Sequence, residues 1–381
     1  MKSIGVIAEY NPFHNGHLYH LQKIKEKYKD YKIVLVMSGN YMQRGEVAII
    51  DKWKRSEIAL KNGIDLIIEL PYPFATQSAD FFAYGAITIL EHLKVERIVF
   101  GSESNNIKDL EVIAKTQIEN EDFNKLVKIY SKLGKNYPTA VSCAIEDLTG
   151  KKIETPNDLL GISYIKTILQ NNYKIKYETI KRIGSYHEKE LKKNISSATA
   201  IRKALKEKKK IDNYIPKNII NDFKELHFMQ DYFDILKYKI ITEQDLSIYQ
   251  TVDEGIDKLL KKEIQNSISY EDLIKRVKSK RYTYNKISRM LLHILCNFTK
   301  EKAKKFQKIN YIRILGFNEN GRNYLSTVKK NSDIPIISKI KKEKDPMLEF
   351  EIETTKIYDI KRNLLSKKET QKIIYIREKE Q

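Results

Sequence analysis

Cysteine is nearly absent from this chain of 381 residues: only Cys143 and Cys296 occur. They lie far apart with no partners at metal-ligand spacing. That excludes a disulfide framework and a cysteine-held metal, and it fits a reduced, cytoplasmic protein whose two thiols fill the core. Long apolar runs are missing too. No stretch approaches the ~18 uncharged residues of a membrane span, so no membrane partner is expected. The apolar start after Met1-Lys2 is broken by Glu9, so it reads as a first strand and not as a signal peptide. Arginine is scarce at 12 residues beside abundant lysine, and no internal repeat is visible.

What is present is positive charge in one place. The net charge is +20, from 70 Lys+Arg against 50 Asp+Glu. Residues 1–150 carry 19 of each sign, so the whole excess lies in 151–381, with 51 against 31. Drift towards lysine would spread the excess evenly. Its confinement points to a polyanion, a nucleic acid, docking on the later part.

The first hundred residues alternate short apolar runs with helical patterns. Ile4-Gly5-Val6-Ile7-Ala8 reads as a buried strand, and Leu18, Leu21, Ile24 and Tyr28 form an apolar stripe at helical spacing. Tyr31 to Met37 is a second strand, Ile64 to Leu70 a third and Arg97 to Phe100 a fourth, with helices from Asp51 and from Ser78 between them. This rhythm predicts an α/β fold: a parallel, doubly wound, Rossmann-like sheet that binds ligands beyond the carboxyl ends of its strands. Residues 107–150 read as helical. Pro156-Asn157-Asp158 opens another helix, Lys174 to Ile183 is a fifth strand, and a helix follows Ile195. A boundary near 212–216 divides a catalytic domain, 1–211, from a basic, mainly helical domain, 212–381. Strands near 311–315 and 334–337 form a short βαβ-like tail.

His14-Asn15-Gly16-His17 falls where the first strand turns into the first helix. Unpaired backbone N–H groups and the helix dipole favour an anion there, so a nucleotide phosphate is the expected ligand. A zinc pair would also suit the spacing, but it needs a third ligand, and His20 is too far round the helix to be one. Ile195-Ser196-Ser197-Ala198-Thr199-Ala200-Ile201-Arg202 sets hydroxyls at a second loop-to-helix junction, with Arg202 able to fork onto the same phosphate. Alone, such hydroxyls are ordinary helix caps. Gln43-Arg44-Gly45-Glu46 places an arginine in a loop at the ligand edge, or in a solvated turn. Lys278, Lys280, Arg281, Tyr282, Lys286 and Arg289 interleave charge with aromatics, a pattern suited to RNA phosphates and stacked bases.

Together these stretches resemble a known family. The His-Asn-Gly-His turn and the segment ending at Arg202 match the two signatures of nucleotidyltransferases related to class I aminoacyl-tRNA synthetases. More closely, the chain resembles the tRNA(Met) cytidine acetate ligase family. The resemblance is carried by Ile7-Ala8-Glu9-Tyr10-Asn11-Pro12-Phe13-His14-Asn15-Gly16-His17, by Met37 to Glu46, by Glu69-Leu70-Pro71, by Phe100-Gly101-Ser102-Glu103 and by Lys280-Arg281-Tyr282-Thr283. It implies activation of free acetate by ATP, giving acetyl-adenylate and pyrophosphate. The acetyl group then passes to the exocyclic amine of the wobble cytidine of elongator tRNA(Met), giving N4-acetylcytidine. It also implies an ATP site made of residues 7–20, including Leu18, Tyr19 and His20, with Gly101, Asn157 and Arg182.

On this reading His14 and His17 are the catalytic donors. Backbone N–H groups of Asn15 to Leu18, Arg202 and the hydroxyls of Ser196, Ser197 and Thr199 assist them. Mg²⁺ is expected with the triphosphate, without a dedicated carboxylate cage. A metabolic adenylyltransferase shares both phosphate motifs but leaves the basic later part unused, and an RNA-binding protein with a relict nucleotide fold remains a third reading.

Overall fold

The computed structural model describes residues 1–377 apart from 153–154, 184–194, 254, 281, 341–344, 362–363 and 371–372. The chain opens with β1 (Ser3–Ala8), α1 (Asn15–Lys27), β2 (Lys32–Ser38), α2 (Lys52–Lys61), β3 (Leu66–Leu70), α3 (Tyr72–Ala75), α4 (Ala79–His92) and β4 (Arg97–Ser102). Then come α5 (Ile107–Glu119), α6 (Glu121–Lys132), α7 (Tyr137–Thr149), α8 (Pro156–Gln170), β5 (Lys176–Lys181) and α9 (Ala198–Lys206). The basic part supplies α10 (Phe233–Thr242), α11 (Ile256–Asn266), α12 (Tyr270–Val277), α13 (Tyr284–Leu295) and α14 (Lys300–Lys305). It ends with β6 (Ile312–Asn318), α15 (Glu319–Val328), β7 (Ile336–Ile337), α16 (Pro346–Tyr358), α17 (Leu365–Lys368) and β8 (Ile374–Ile376).

The alternation of apolar strands and capped helices forms because each local signal agrees with the next. Asp51 caps α2 by accepting from the N–H groups of Trp53 and Lys54 (2.8 and 3.0 Å). Ser78 accepts from Phe81 at the start of α4. The strands are almost wholly apolar because helices cover both faces. The sheet runs β5-β4-β1-β2-β3 in parallel, as the sequence rhythm predicts. The order reverses between β1 and β4, and the crevice beyond their carboxyl ends is where such sheets take ligands.

The βαβ-like tail forms as β6, α15 and β7, with β7 parallel to β6; what the sequence did not show is that β6 lies antiparallel against β3 in the same sheet, where β8 also pairs with β6. A set of fully buried charges welds this return. Lys52 of α2 meets Glu69 of β3 (2.7 Å), Glu369 (2.8 Å) and Glu351 of α16 (3.9 Å). Arg313 of β6 meets Glu69 (2.9 Å) and Glu369. One continuous apolar core therefore spans both halves of the chain. No described helix is long and apolar enough to cross a membrane.

Candidate active site

A cavity of about 720 Å³ opens at the β1–β4 crevice. Beneath it lies Arg55, a wholly buried side chain of α2 that does not itself line the cavity. The guanidinium donates to the carbonyls of Glu9 (2.7 Å), Ser38 (3.0 Å), Gly39 and Ile50 (3.1 Å), so it staples together the ends of β1 and β2. Beyond β1 the backbone turns sharply through Tyr10, whose φ of +47° lies in the left-handed region. Its ring packs edge-on to Phe13 and against His17.

The two histidines close the start of α1 on each other. His14 Nδ1 accepts from the N–H of Gly16 (3.0 Å), and His17 Nδ1 accepts from the N–H of His14 (3.3 Å). A Cβ on Gly16 would lie 2.9 Å from the His14 ring, so glycine lets the imidazole fold over the helix start. The two rings stack with centroids 3.7 Å apart. With both Nδ1 atoms accepting, the neutral rings carry their proton on Nε2. Burial, then the charges of Arg182 and Arg202, push His14 down to about 3. Burial and the neighbouring His14 hold His17 well below the usual histidine value. Both rings are therefore neutral donors at ordinary pH.

The backbone donors expected to cradle phosphate are already occupied. The N–H of Asn15 donates to Tyr214 O (2.9 Å), that of Gly16 to His14, and those of His17 and Leu18 to His14 O (2.8 and 3.1 Å). The helix start is capped by side-chain and backbone acceptors from its own protein, so the donors this turn has left to give are imidazole Nε2–H groups and not amides.

Of residues 7–20, Ile7, Ala8, Glu9, Tyr10, Asn11, His14, Gly16, His17, Tyr19 and His20 line the cavity. Pro12, Phe13, Asn15 and Leu18 do not line it: Phe13 is core, and Asn15 binds Asn213 O through its side chain (3.0 Å). Gly101, Asn157 and Arg182 come together at the end of β4, with Arg182 3.4 Å from Asn157 Oδ1 and 3.8 Å from Glu103. Asp158, which the sequence did not single out for the site, shapes this corner. It is buried and accepts from Ser102, from the Ser104 N–H (3.0 Å) and from Thr155 (2.8 Å).

Ser196, Ser197, Thr199 and Arg202 form the facing wall. Ser197 caps α9 by accepting from the Ala200 N–H (3.1 Å). Arg202 was expected to fork onto phosphate, yet its guanidinium is held by Asn11 O (2.9 Å) and by the Glu46 carboxylate (2.9 Å). It ties α9 to the loops after β1 and β2, and its charge reaches His14 from there.

The basic part reaches this same cavity. Lys286 and Arg289 line it, with Thr283 and Asn285 beside them. The contact is made through Arg44-Gly45-Glu46. Gly45 has φ +84°, a Cβ there would lie 2.2 Å from the Arg289 backbone N, and Ser288 Oγ donates to Gly45 O (2.8 Å). Burial, then Arg44, lowers the Arg289 guanidinium. Tyr282, expected to stack a base, is instead buried: its hydroxyl donates to Asp253 O (2.7 Å), and Lys286 Nζ sits 4.4 Å from its ring centre. Lys278 and Lys280 are exposed away from the cavity, and Arg281 lies outside the described residues. Among the described residues no three His, Cys, Asp or Glu side chains are grouped to hold a metal.

Known proteins resemble this chain over nearly its whole length. The model of the HIGH Nucleotidyl Transferase family matches residues 1–372. The chain is 42% identical to the tRNA(Met) cytidine acetate ligase of Geobacillus sp. (strain WCH70), over 92% of either sequence, and 43% identical to that of Thermosipho melanesiensis, over 89% of this chain and 84% of the relative. A crystal structure of apo Thermotoga maritima TmcAL superposes with a TM-score of 0.92 at 32% identity. A second, with α-thio ATP bound, superposes at 0.90 and 33%; each pairing covers 99% of this chain and 100% of the other. The chain belongs to the tRNA(Met) cytidine acetate ligase family, within the HIGH nucleotidyl transferases.

Proposed function

We propose that this protein is a cytoplasmic ATP-dependent ligase that forms acetyl-adenylate from acetate and transfers the acetyl group to the wobble cytidine of elongator tRNA(Met). The observation that carries the reading is the sharing of one cavity: stacked neutral imidazoles wall one part, and basic residues from the charge-rich later chain wall another. A nucleotide and an RNA can thus meet without either leaving the site.

In the first step acetate attacks the α-phosphate, and negative charge grows on the departing pyrophosphate. His14 and His17 meet that charge with Nε2–H donors already aimed and already desolvated, which removes the reorganisation that water would require. Arg182 adds positive charge beside both rings. Ser196, Ser197 and Thr199 offer hydroxyls from the facing wall. Gly101, Asn157 and Arg182 suit the nucleoside end. A magnesium ion, if it enters, comes on the triphosphate, since the described side chains form no cage for it.

Residues 1–211 would hold ATP and acetate and 212–381 grip tRNA, with Lys286 and Arg289 lining the cavity beside Arg44, and with Lys278 and Lys280 exposed beyond it in the basic run that continues to Arg281. Labelled acetate tests the reading. Incorporation into tRNA(Met) that requires ATP supports it. Transfer of AMP to a small phosphorylated acceptor would establish an adenylyltransferase, and RNA binding with neither reaction would establish a relict fold.

A further inference from the structure

The acceptor amine of cytidine is a poor nucleophile and must lose a proton as it is acylated, so the cavity needs a base near its RNA-facing mouth. The imidazoles do not qualify. His14 and His17 spend Nδ1 on backbone N–H groups and present Nε2–H. His20 sits one turn further along α1, where burial and then Arg182 hold it down to about 4, on the nucleotide side.

Three carboxylates line the cavity among the described residues: Glu9, Glu46 and Asp80. Glu46 is bound to Arg202 at 2.9 Å, and Asp80 to Lys166 at 2.6 Å. Glu9 has neither kind of partner. Its Oε1 accepts from the Gln43 N–H (2.7 Å), and its Oε2 is bonded to nothing among the described residues. Its backbone is clamped through its own carbonyl by Arg55. Arg44 and Glu46 from the loop after β2, and Arg202 from α9, all act on it electrostatically, and Glu9 in turn acts on Tyr164 of α8. Arg44 also acts on Arg289. Glu9 therefore bonds, through Gln43, the loop whose Gly45 packs on Ser288 and Arg289, so it stands between the end of the first strand and the basic wall of the cavity.

We propose that Glu9 is the general base of acetyl transfer, an inference that rests on the ligase reading above. The cytidine N4 attacks the acetyl carbonyl carbon and a C–N bond forms. The bond from that carbon to the adenylate oxygen breaks, AMP leaves with the electron pair, and the amine proton passes to the Glu9 carboxylate. Burial raises this carboxyl above its ordinary value, against the Gln43 N–H and the two arginines, which makes it a better base than a solvated carboxylate.

The test separates the half-reactions in the full-length protein. Glu9→Gln keeps the shape and the acceptor for Gln43. It is expected to slow single-turnover transfer to tRNA by about 10²–10⁴-fold and to slow acetate-dependent ATP–pyrophosphate exchange far less. Glu9→Asp, which keeps a carboxylate, recovers part of that loss. In the wild type the transfer rate rises with pH through one carboxylate ionisation, and Glu9→Gln abolishes this limb. Unchanged transfer in Glu9→Gln overturns the proposal. So does exchange that falls in step with transfer, which would place Glu9 in adenylate formation. If either variant is misfolded by circular dichroism, the wild-type profile decides, and a profile without an acid limb overturns it. A wild type that neither exchanges nor acetylates sinks the ligase reading instead.

Discussion

The ion cluster around Lys52 and the cavity around His14 treat charge in opposite ways. In the cluster, Lys52 and Arg313 face Glu69, Glu351 and Glu369 with almost no solvent, and each charge has an opposite partner within ion-pair distance. In the cavity, neutral imidazoles, a carboxylate without a cation and two mutually repelling arginines face an open volume. The cluster joins α2 and β3 to strands and helices more than two hundred residues away, and its charges are consumed in doing so. Glu46 and Asp80 are paired there, with Arg202 and Lys166, but the stacked imidazoles stay neutral and Glu9 holds the Gln43 N–H instead of a cation at ion-pair distance, as expected where a ligand completes the arrangement. Matched burial marks architecture here, and unmatched burial marks chemistry.

The strongest way to break this contrast is to remove a charge from the cluster. Lys52→Met strands buried carboxylates and is expected to lower stability by about 3–5 kcal/mol, measured by urea unfolding, with the folded fraction still active. Activity lost without stability would move the cluster into the catalytic machinery. The reverse experiment is His14→Ala. Acetylation is expected to fall by about 10²–10³-fold, as for the loss of one oxyanion donor. Stability falls by only about 1 kcal/mol for the lost cap, and tRNA affinity stays near wild type. Full activity would place the phosphates elsewhere.

A pH experiment sharpens the comparison from the cluster side. Burial, then the Glu69 carboxylate, pushes Glu351 up to about 8 from an ordinary 4.5. Between those values the unfolded chain has lost a proton that the folded state keeps, so stability falls as pH rises through that window and levels above it. In Glu351→Gln this slope is absent, and melting temperatures of the two proteins across the window check it. The smallest effect is at the mouth. Arg289→Ala is expected to weaken tRNA binding and make its salt slope shallower by about 1, with acetate-dependent exchange unaffected. An unchanged slope would move the RNA surface away from α13.

Local signals made much of this legible. The apolar runs at Ile4–Ala8 and Lys32–Met37 and the caps at Asp51 and Ser78 each specify an element from neighbouring residues alone. The His14–His17 turn was equally readable, because a strand, a glycine and a helix stripe adjoin it. The amide cradle was misjudged, because which acceptor an N–H finds depends on the imidazole rotamers and on Tyr214 arriving from far along the chain. Tyr282 was misjudged for a like reason: an aromatic among lysines looks the same in sequence whether Asp253 covers it or solvent does.

By itself the sequence determined the parallel α/β rhythm, the histidine turn between the first strand and helix and the location of the positive charge, since periodicity, capping and net charge act over a few residues or need no geometry at all. Tertiary structure alone decided that β6 closes the sheet, that Arg55 staples the strand ends, and that Arg289 meets Arg44 across Gly45 at one cavity. Those contacts join residues far apart in the chain, and only the packing of one common core brings them within reach.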